Sequence, residues 1–352
     1  MRLRKRIPAL TVHIGTEKTG TTTIQELLFA NRQRLAERRI GVLVSPGQAN
    51  NRGAATYCMA AGRIDDHGVS NGLRDPGRRE RWRSKLRKGL IRELRGMVGR
   101  IDRVILTSEH FHSRLVDESE VRTLLELVGP YFDRIDILVY LRRQDRLATS
   151  SYSTLLTSGG KREEILPSGT SDRTHFFDYL ALVERWSSVF GRDRLTIRPF
   201  DKRQWIEGRL VDDFLHHAGI AVAPSELTLP PNRNESVSAH ARPILLRFNR
   251  HFPSVLETGP NPHSAKLRWF LVRRLRDAYP GPPQLPARDE ARAFAELFRA
   301  RNRELAEKYL DGRPLFDDDF SDYPEQSEAM PIEPVAVDLI AETMAEYLKS
   351  LG

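Results

Sequence analysis

The chain has 352 residues, 39% of them hydrophobic, with 56 Lys and Arg against 47 Asp and Glu, a formal net charge of +9. This size suits one large α/β core with helical additions or two small domains, and the positive balance suits a multiply charged anion, an anionic glycan, a nucleic acid or a membrane surface alike. The single cysteine, Cys58, excludes an intramolecular disulfide framework and a four-thiolate zinc site, and no run of about 18 apolar residues offers a membrane span, so a cytoplasmic protein is expected.

Ala9 to Ile14 reads as a short strand. The start Met1-Arg-Leu-Arg-Lys-Arg-Ile has the charge of a secretory signal, but the apolar run behind it is broken by His13 and Gly15 and belongs to that strand. The segment His13 to Gln25 holds a glycine-bounded, threonine-rich turn, and Ile24, Leu27, Leu28 and Leu35 recur at helical spacing beyond the turn. A turn between a strand and a helix start presents N–H groups without intrahelical acceptors at the positive end of the helix dipole. Gly15 and Gly20 let the backbone bend, Lys18 adds a full charge, and Thr19, Thr21 and Thr22 offer hydroxyls. The segment is an anion cradle on this reading; a plain threonine-capped helix beside a solvated lysine is the alternative. In a loop for nucleoside triphosphates the lysine directly follows the second glycine, where Thr21 stands here, which argues against magnesium-assisted γ-phosphoryl transfer.

Gly41 to Val44 is the next expected strand. Gln48 to Arg78, rich in Gly, Asn and Asp, reads as an irregular segment near the site, able to contact an acceptor. The basic run Arg74 to Arg95 reads as the solvated face of a helix with Trp82, Leu86, Leu90 and Leu94 as its buried stripe. The strand Arg103 to Thr107 delivers Ser108-Glu109-His110-Phe111-His112 to the sheet edge where ligands of open α/β sheets bind. Glu109 and His110 are therefore candidate proton acceptors, with an ion pair to a nearby arginine the plainer role for Glu109; His110 and His112 lack a convincing third ligand for a metal.

Ile135 to Leu141 is nearly continuous in apolar residues, as in a parallel strand covered on both faces. Arg142 stands at its carboxyl end and Ser150 falls eight residues later on the following helix, a spacing that lets a guanidinium and a hydroxyl close on one phosphate. Phe176, Leu180, Val183 and Phe190 read as helix core, and Leu195 to Arg198 as a fifth strand. Within Asn232-Arg233-Asn234-Glu235-Ser236, Asn234 or Ser236 reads as the N-cap of a helix beginning near Val237. Three apolar sets, Ile244/Leu245/Phe248, Phe294/Leu297/Phe298 and Val337/Ile340/Met344/Leu348, predict amphipathic helices. The expected fold is α/β: a P-loop-like parallel sheet flanked by helices over residues 1–230, with a helical C-terminal region, 231–352, packed on the same core.

With both motifs in view the chain resembles the PAPS-dependent sulfotransferases, of bacterial and carbohydrate type. Lys18-Thr19-Gly20-Thr21-Thr22 is similar to the loop that grips the 5′-phosphosulfate in that family, and Arg142 with Ser150-Ser151-Tyr152 to the site for the 3′-phosphate; Leu195-Thr-Ile-Arg-Pro-Phe200 and Leu210 to Leu215 add a late strand and helix. The resemblance covers the first two thirds of the chain. It departs at Glu17 and Gln144, where many relatives carry proline. It implies PAPS as sulfuryl donor, no metal requirement, Lys18 as the charge stabiliser, Glu109 or His110 as the base, and a hydroxyl acceptor on a carbohydrate or glycolipid, with no nucleic-acid partner. A P-loop nucleotide kinase and a non-catalytic nucleotide- or nucleic-acid-binding protein are the alternatives.

Overall fold

The computed structural model describes residues 6–168, 174–231, 236–256 and 259–351. Along the chain lie β1 (Ile7–His13), α1 (Thr21–Ala30), α2 (Arg32–Glu37), β2 (Ile40–Val42), α3 (Arg52–Cys58), α4 (Asp66–Ser70), α5 (Pro76–Met97), β3 (Arg103–Thr107), α6 (His110–Arg114), α7 (Glu118–Val128), β4 (Phe132–Leu141) and α8 (Gln144–Thr157). There follow α9 (Thr174–Phe177), α10 (Tyr179–Phe190), β5 (Leu195–Pro199), α11 (Leu210–His217), α12 (Ala241–His251), β6 (Val255–Leu256), β7 (Gly259–Pro260), α13 (Ser264–Ala278), α14 (Arg288–Glu296), α15 (Arg299–Tyr309) and α16 (Val335–Lys349).

The five long strands form one parallel sheet in the order β2-β3-β1-β4-β5. In its register Val12 lies between Leu106 and Ile137, and His13 between Thr107 and Leu138, so the carboxyl ends of β1, β3 and β4 meet at one edge. The chain divides into two compact units. The first comprises Met1–Arg142, Arg173–Asn232 and Ala300–Phe316, and the second Arg143–Asp172, Arg233–Arg299 and Asp317–Gly352.

In the first unit Ile24, Leu27 and Leu28 of α1 and Phe214 and Leu215 of α11 bury against Ile105, Leu138 and Tyr140 of the sheet. A buried polar knot fixes α11: the Tyr140 hydroxyl donates to Asp213 Oδ2 (2.7 Å) and Arg198 Nη2 pairs with Asp213 Oδ1 (2.7 Å), which compensates the burial of that carboxylate. The Gln48 to Arg78 segment is not irregular throughout, because it folds α3 and α4. Asp65 caps α4 by accepting from the Gly68 N–H (2.8 Å), and Arg79 of α5 ties down the carbonyls of Met59, Ala60, Ala61 and Arg63 behind α3. The Arg79 bonds join residues 16 to 20 apart in sequence, so no local periodicity announces them.

In the second unit Tyr152 and Leu156 of α8 join Leu245 and Phe248 of α12, Leu271 and Leu275 of α13, and Leu339 and Tyr347 of α16 in one apolar cluster. Three expectations are corrected here. Helix α12 starts at Ala241, with its first N–H on Ser238 Oγ (3.2 Å), not near Val237; Asn232 to Glu235 lie outside the described residues. On α16 the buried stripe is Ala336, Leu339, Thr343 and Tyr347, whereas Val337, Met344 and Leu348 face outward. The helix carries apolar residues on both flanks, and the α13 side is chosen by the pairing of Arg273 and Arg274 with Glu346, and of Arg274 with Glu342. Similarly α14 ends at Glu296 and leaves Leu297 exposed. Among the described residues no helix is long and apolar enough to cross a membrane.

Candidate functional site

The turn between β1 and α1 is built by two glycines in the left-handed region. Gly15 has φ 98°, and a Cβ there would sit 3.1 Å from the Cα of Glu109, so only glycine lets Glu109, the second residue past β3, come this close to the loop. Gly20 has φ 70°, and a Cβ would strike Leu210 of α11 at 2.3 Å. Lys18 itself stands at φ 63°, a conformation seldom adopted by lysine and concentrated in functional loops. Gly20 caps α1 without a side-chain acceptor, so the first N–H groups of the helix, at Thr21 to Thr23, have no partner within it.

The threonines divide their work. The Thr19 hydroxyl turns inward and donates to the Thr16 carbonyl (2.6 Å), as Thr16 Oγ1 does to the Tyr140 carbonyl (3.1 Å), so both shape the loop. Thr21 is buried and Thr22 exposed at the helix start. From the end of β4, Arg142 reaches back and its Nη1 donates to the Lys18 carbonyl (3.0 Å), with the guanidinium over the Phe200 ring at 5.5 Å. The cationic residues of the two sequence motifs thus meet on one loop, within the first unit. Ser150 is half-buried on α8, which belongs to the second unit.

Glu109 ends the turn after β3. Gln25, on the second turn of α1, donates through Nε2 to Glu109 Oε2 (2.5 Å), and His110 Nε2 lies 3.7 Å from Oε1, outside hydrogen-bond distance. Among the described residues no arginine forms an ion pair with this carboxylate. Burial raises the Glu109 pKa above the ordinary carboxylate value, with the Gln25 bond opposing and the nearby Glu17 charge adding to the rise. His110 is held down to about 4 by burial and by the Arg52 cation. His112 is buried and structural: its Nδ1 accepts from the Glu17 N–H (3.4 Å), which leaves Nε2 to donate to the Phe176 carbonyl (3.1 Å), and burial lowers it to about 3. His13, also lowered to about 3 by burial, bonds Thr107 Oγ1 through Nδ1 (2.8 Å).

At this sheet edge several buried side-chain atoms have no protein partner: Ser108 Oγ and His110 Nδ1 on either side of Glu109, and Asn51 Oδ1 and Arg52 Nε from the start of α3. Asn51 and Arg52 open α3, and Arg52 is aimed by Asp65 (3.2 Å) and Asp66. Sequence reasoning placed the Gln48 to Arg78 segment near the site without singling out Asn51 or Arg52, and ended the cradle segment at Gln25 without giving that residue a role. Gln25 was legible in hindsight, one turn into the helix that the cradle starts; the other two depend on the fold of α3. Among the described residues no group of three or more His, Cys, Asp or Glu side chains is arranged to hold a metal ion.

No family model matches the chain. A protein of Archaeoglobus fulgidus, known only as an uncharacterized protein, is 24% identical over 224 residues, 61% of this chain and 58% of that protein. The match thus spans less than two thirds of that relative's length. A crystal structure of a sulfotransferase from Alicyclobacillus acidocaldarius is similar over 64% of this chain and 87% of its own, with 16% identity and a TM-score of 0.38.

Proposed function

We propose that the protein is a sulfotransferase that moves the sulfuryl group of PAPS to a hydroxyl of a carbohydrate or glycolipid-type acceptor. The observation that carries this reading is the Arg142 to Lys18 hydrogen bond, which puts the cationic residues of both motifs at one loop beside Glu109. The donor set fits a doubly phosphorylated nucleotide: free N–H groups at the start of α1, an ammonium at Lys18 and a guanidinium at Arg142 suit phosphate oxygens. Lys18, Thr19, Gly20, Thr21 and Thr22 would hold the 5′-phosphosulfate, and Arg142 the 3′-phosphate; Ser150 joins it on the motif spacing alone. When bound, PAPS supplies an activated sulfuryl group with adenosine bisphosphate as leaving group.

The residues of the chain then divide the chemistry. Glu109 accepts the acceptor hydroxyl proton as the new oxygen–sulfur bond forms, and Lys18 with the Gly20 to Thr22 N–H groups stabilises charge on the departing phosphate oxygen. Glu109 suits the role better than His110, since burial makes the carboxylate a stronger base and the imidazole a weaker one. The Asn51, Arg52 and Ser108 atoms without a protein partner include both donors and acceptors, which a polyol would suit.

The test is to incubate the protein with radiolabelled PAPS and a panel of sugars and glycolipids, in chelator. Labelled sulfate ester is expected, and Lys18→Ala should lower its formation by about a thousandfold or more. Magnesium-dependent phosphoryl transfer from ATP in place of sulfation would identify a kinase, and binding of adenosine bisphosphate with no transfer to any acceptor would leave a binding protein.

A further inference from the structure

On α5 five cations, Arg81, Lys85, Lys88, Arg92 and Arg95, follow one another at alternating steps of four and three residues, and all five are exposed. At 100° per residue they fall within an arc of about 80°, and at 1.5 Å per residue they form a straight row about 21 Å long. The two acids of the helix lie off the row: Glu80 stands on another face, and Glu93 is occupied by the N–H groups of Val44 and Ser45 (both 2.9 Å). None of the five has an ion-pair partner among the described residues, whereas several cations of α13 and α15 are matched. Arg273 and Arg274 of α13 meet Glu342 and Glu346, and Arg301 and Lys308 of α15 meet Asp178, Glu184 and Glu304.

We propose that this row is an electrostatic docking surface for an anionic lipid membrane. The rest of the helix is fixed to the first unit by Leu90 and Leu94, by the Arg79 bonds behind α3, and by Trp82 against His67. It cannot roll to insert an apolar face, so attraction must be by charge. A convex cylinder with its cations on one narrow arc presents all five to a plane at once, and four to eight basic residues on one helix are enough to hold an anionic leaflet. Single-stranded nucleic acid is a poorer occupant, because no exposed aromatic side chain lies along the row for bases to stack on. The surface stands independently of the transferase reading, although an enzyme seated on a bilayer would meet a glycolipid acceptor where it resides.

The experiment is sedimentation of the full chain with vesicles of equal parts phosphatidylserine and phosphatidylcholine, with vesicles of phosphatidylcholine alone, and with immobilised polyuridylate. Binding to the anionic vesicles only is expected, weakening as salt rises. The triple variant K85Q/K88Q/R92Q should bind about fivefold more weakly per cation, on the order of a hundredfold in all, while K85R/K88R/R92K should bind as the parent does. Retention on polyuridylate without vesicle binding, absence of vesicle binding altogether, or undiminished binding by the neutral variant would each overturn the proposal.

Discussion

Two buried polar regions of this chain are built on opposite plans. At the sheet edge of the first unit, Asn51, Arg52, Ser108 and His110 each bury an atom that meets no protein partner. In the second unit Arg143 is saturated: it pairs with Asp145 through Nε (2.8 Å) and Nη2 (3.0 Å), reaches Asp317 Oδ1 (2.8 Å) and the Asp319 carbonyl (2.6 Å), and lies 4.0 Å over the Phe320 ring. Tyr323 completes the set by donating to Asp145 Oδ2 (2.7 Å). Unsatisfied buried donors and acceptors cost stability and persist where something else satisfies them; a saturated cluster needs nothing more. The first pattern is open to a partner from outside the chain, whether water or ligand, and the second is that of a clamp. Adjacent arginines in one Arg-Arg pair thus serve different ends, which no reading of two consecutive identical residues can separate.

The sharpest way to break this contrast is Glu109→Gln. If Glu109 is the proton acceptor, sulfate transfer should fall by about a hundred- to ten-thousandfold, measured with saturating donor. The fold should not suffer. A carboxyl whose folded pKa is raised contributes stability below its unfolded pKa and loses it as pH rises through the folded one, so above that folded pKa the ionised Glu109 is a burden and the amide should melt no lower than the parent. A variant that keeps its rate would remove Glu109 from the chemistry.

Arg143→Leu is the converse trial. It leaves the fully buried Asp145 carboxylate without its cation and is expected to cost about 3–5 kcal/mol in chemical denaturation. If Arg143→Leu left the denaturation midpoint unchanged, the clamp would be an incidental contact.

The apolar contrast on α16 is smaller. Leu339→Ala, which empties a core position, should cost about 2–5 kcal/mol, while Met344→Ala on the outward face should stay within about 0.5 kcal/mol. Equal effects would mean the helix is seated the other way. This element also shows what the sequence does and does not disclose. The sheet strands were legible because Ile137 to Leu141 and Val104 to Leu106 have no polar face to mistake, and the turn from β1 into α1 because glycine, lysine and threonine sit at fixed offsets between a strand and a helix. Helix α16 was legible as a helix but not in its facing, since both its stripes are apolar and the choice rests on glutamates that meet another helix. The constellation around Glu109 was half legible: Glu109 and His110 follow a strand, whereas Asn51 and Arg52 reach them only through the long-range bonds that fold α3.

Gln25→Leu tests the link between the two halves of the site with the smallest change. Gln25 touches neither motif; it acts through Glu109, as a positioning residue on the helix that the cradle itself begins. Its hydrogen bond favours the ionised carboxylate, so its loss removes the influence that opposes burial and the Glu109 pKa should climb further. On the proposed mechanism transfer requires the ionised form, so the acid limb of the pH–rate profile should move to higher pH, with a loss that shrinks as the medium is made more alkaline. The apparent affinity for PAPS should hold, because Lys18 and Arg142 are untouched. Gln25→Glu should behave worse than Gln25→Leu, as a second carboxylate beside the first raises its pKa again. A drop in rate of the same size at every pH would assign Gln25 to packing and would separate the carboxylate from the helix that is held here to aim it.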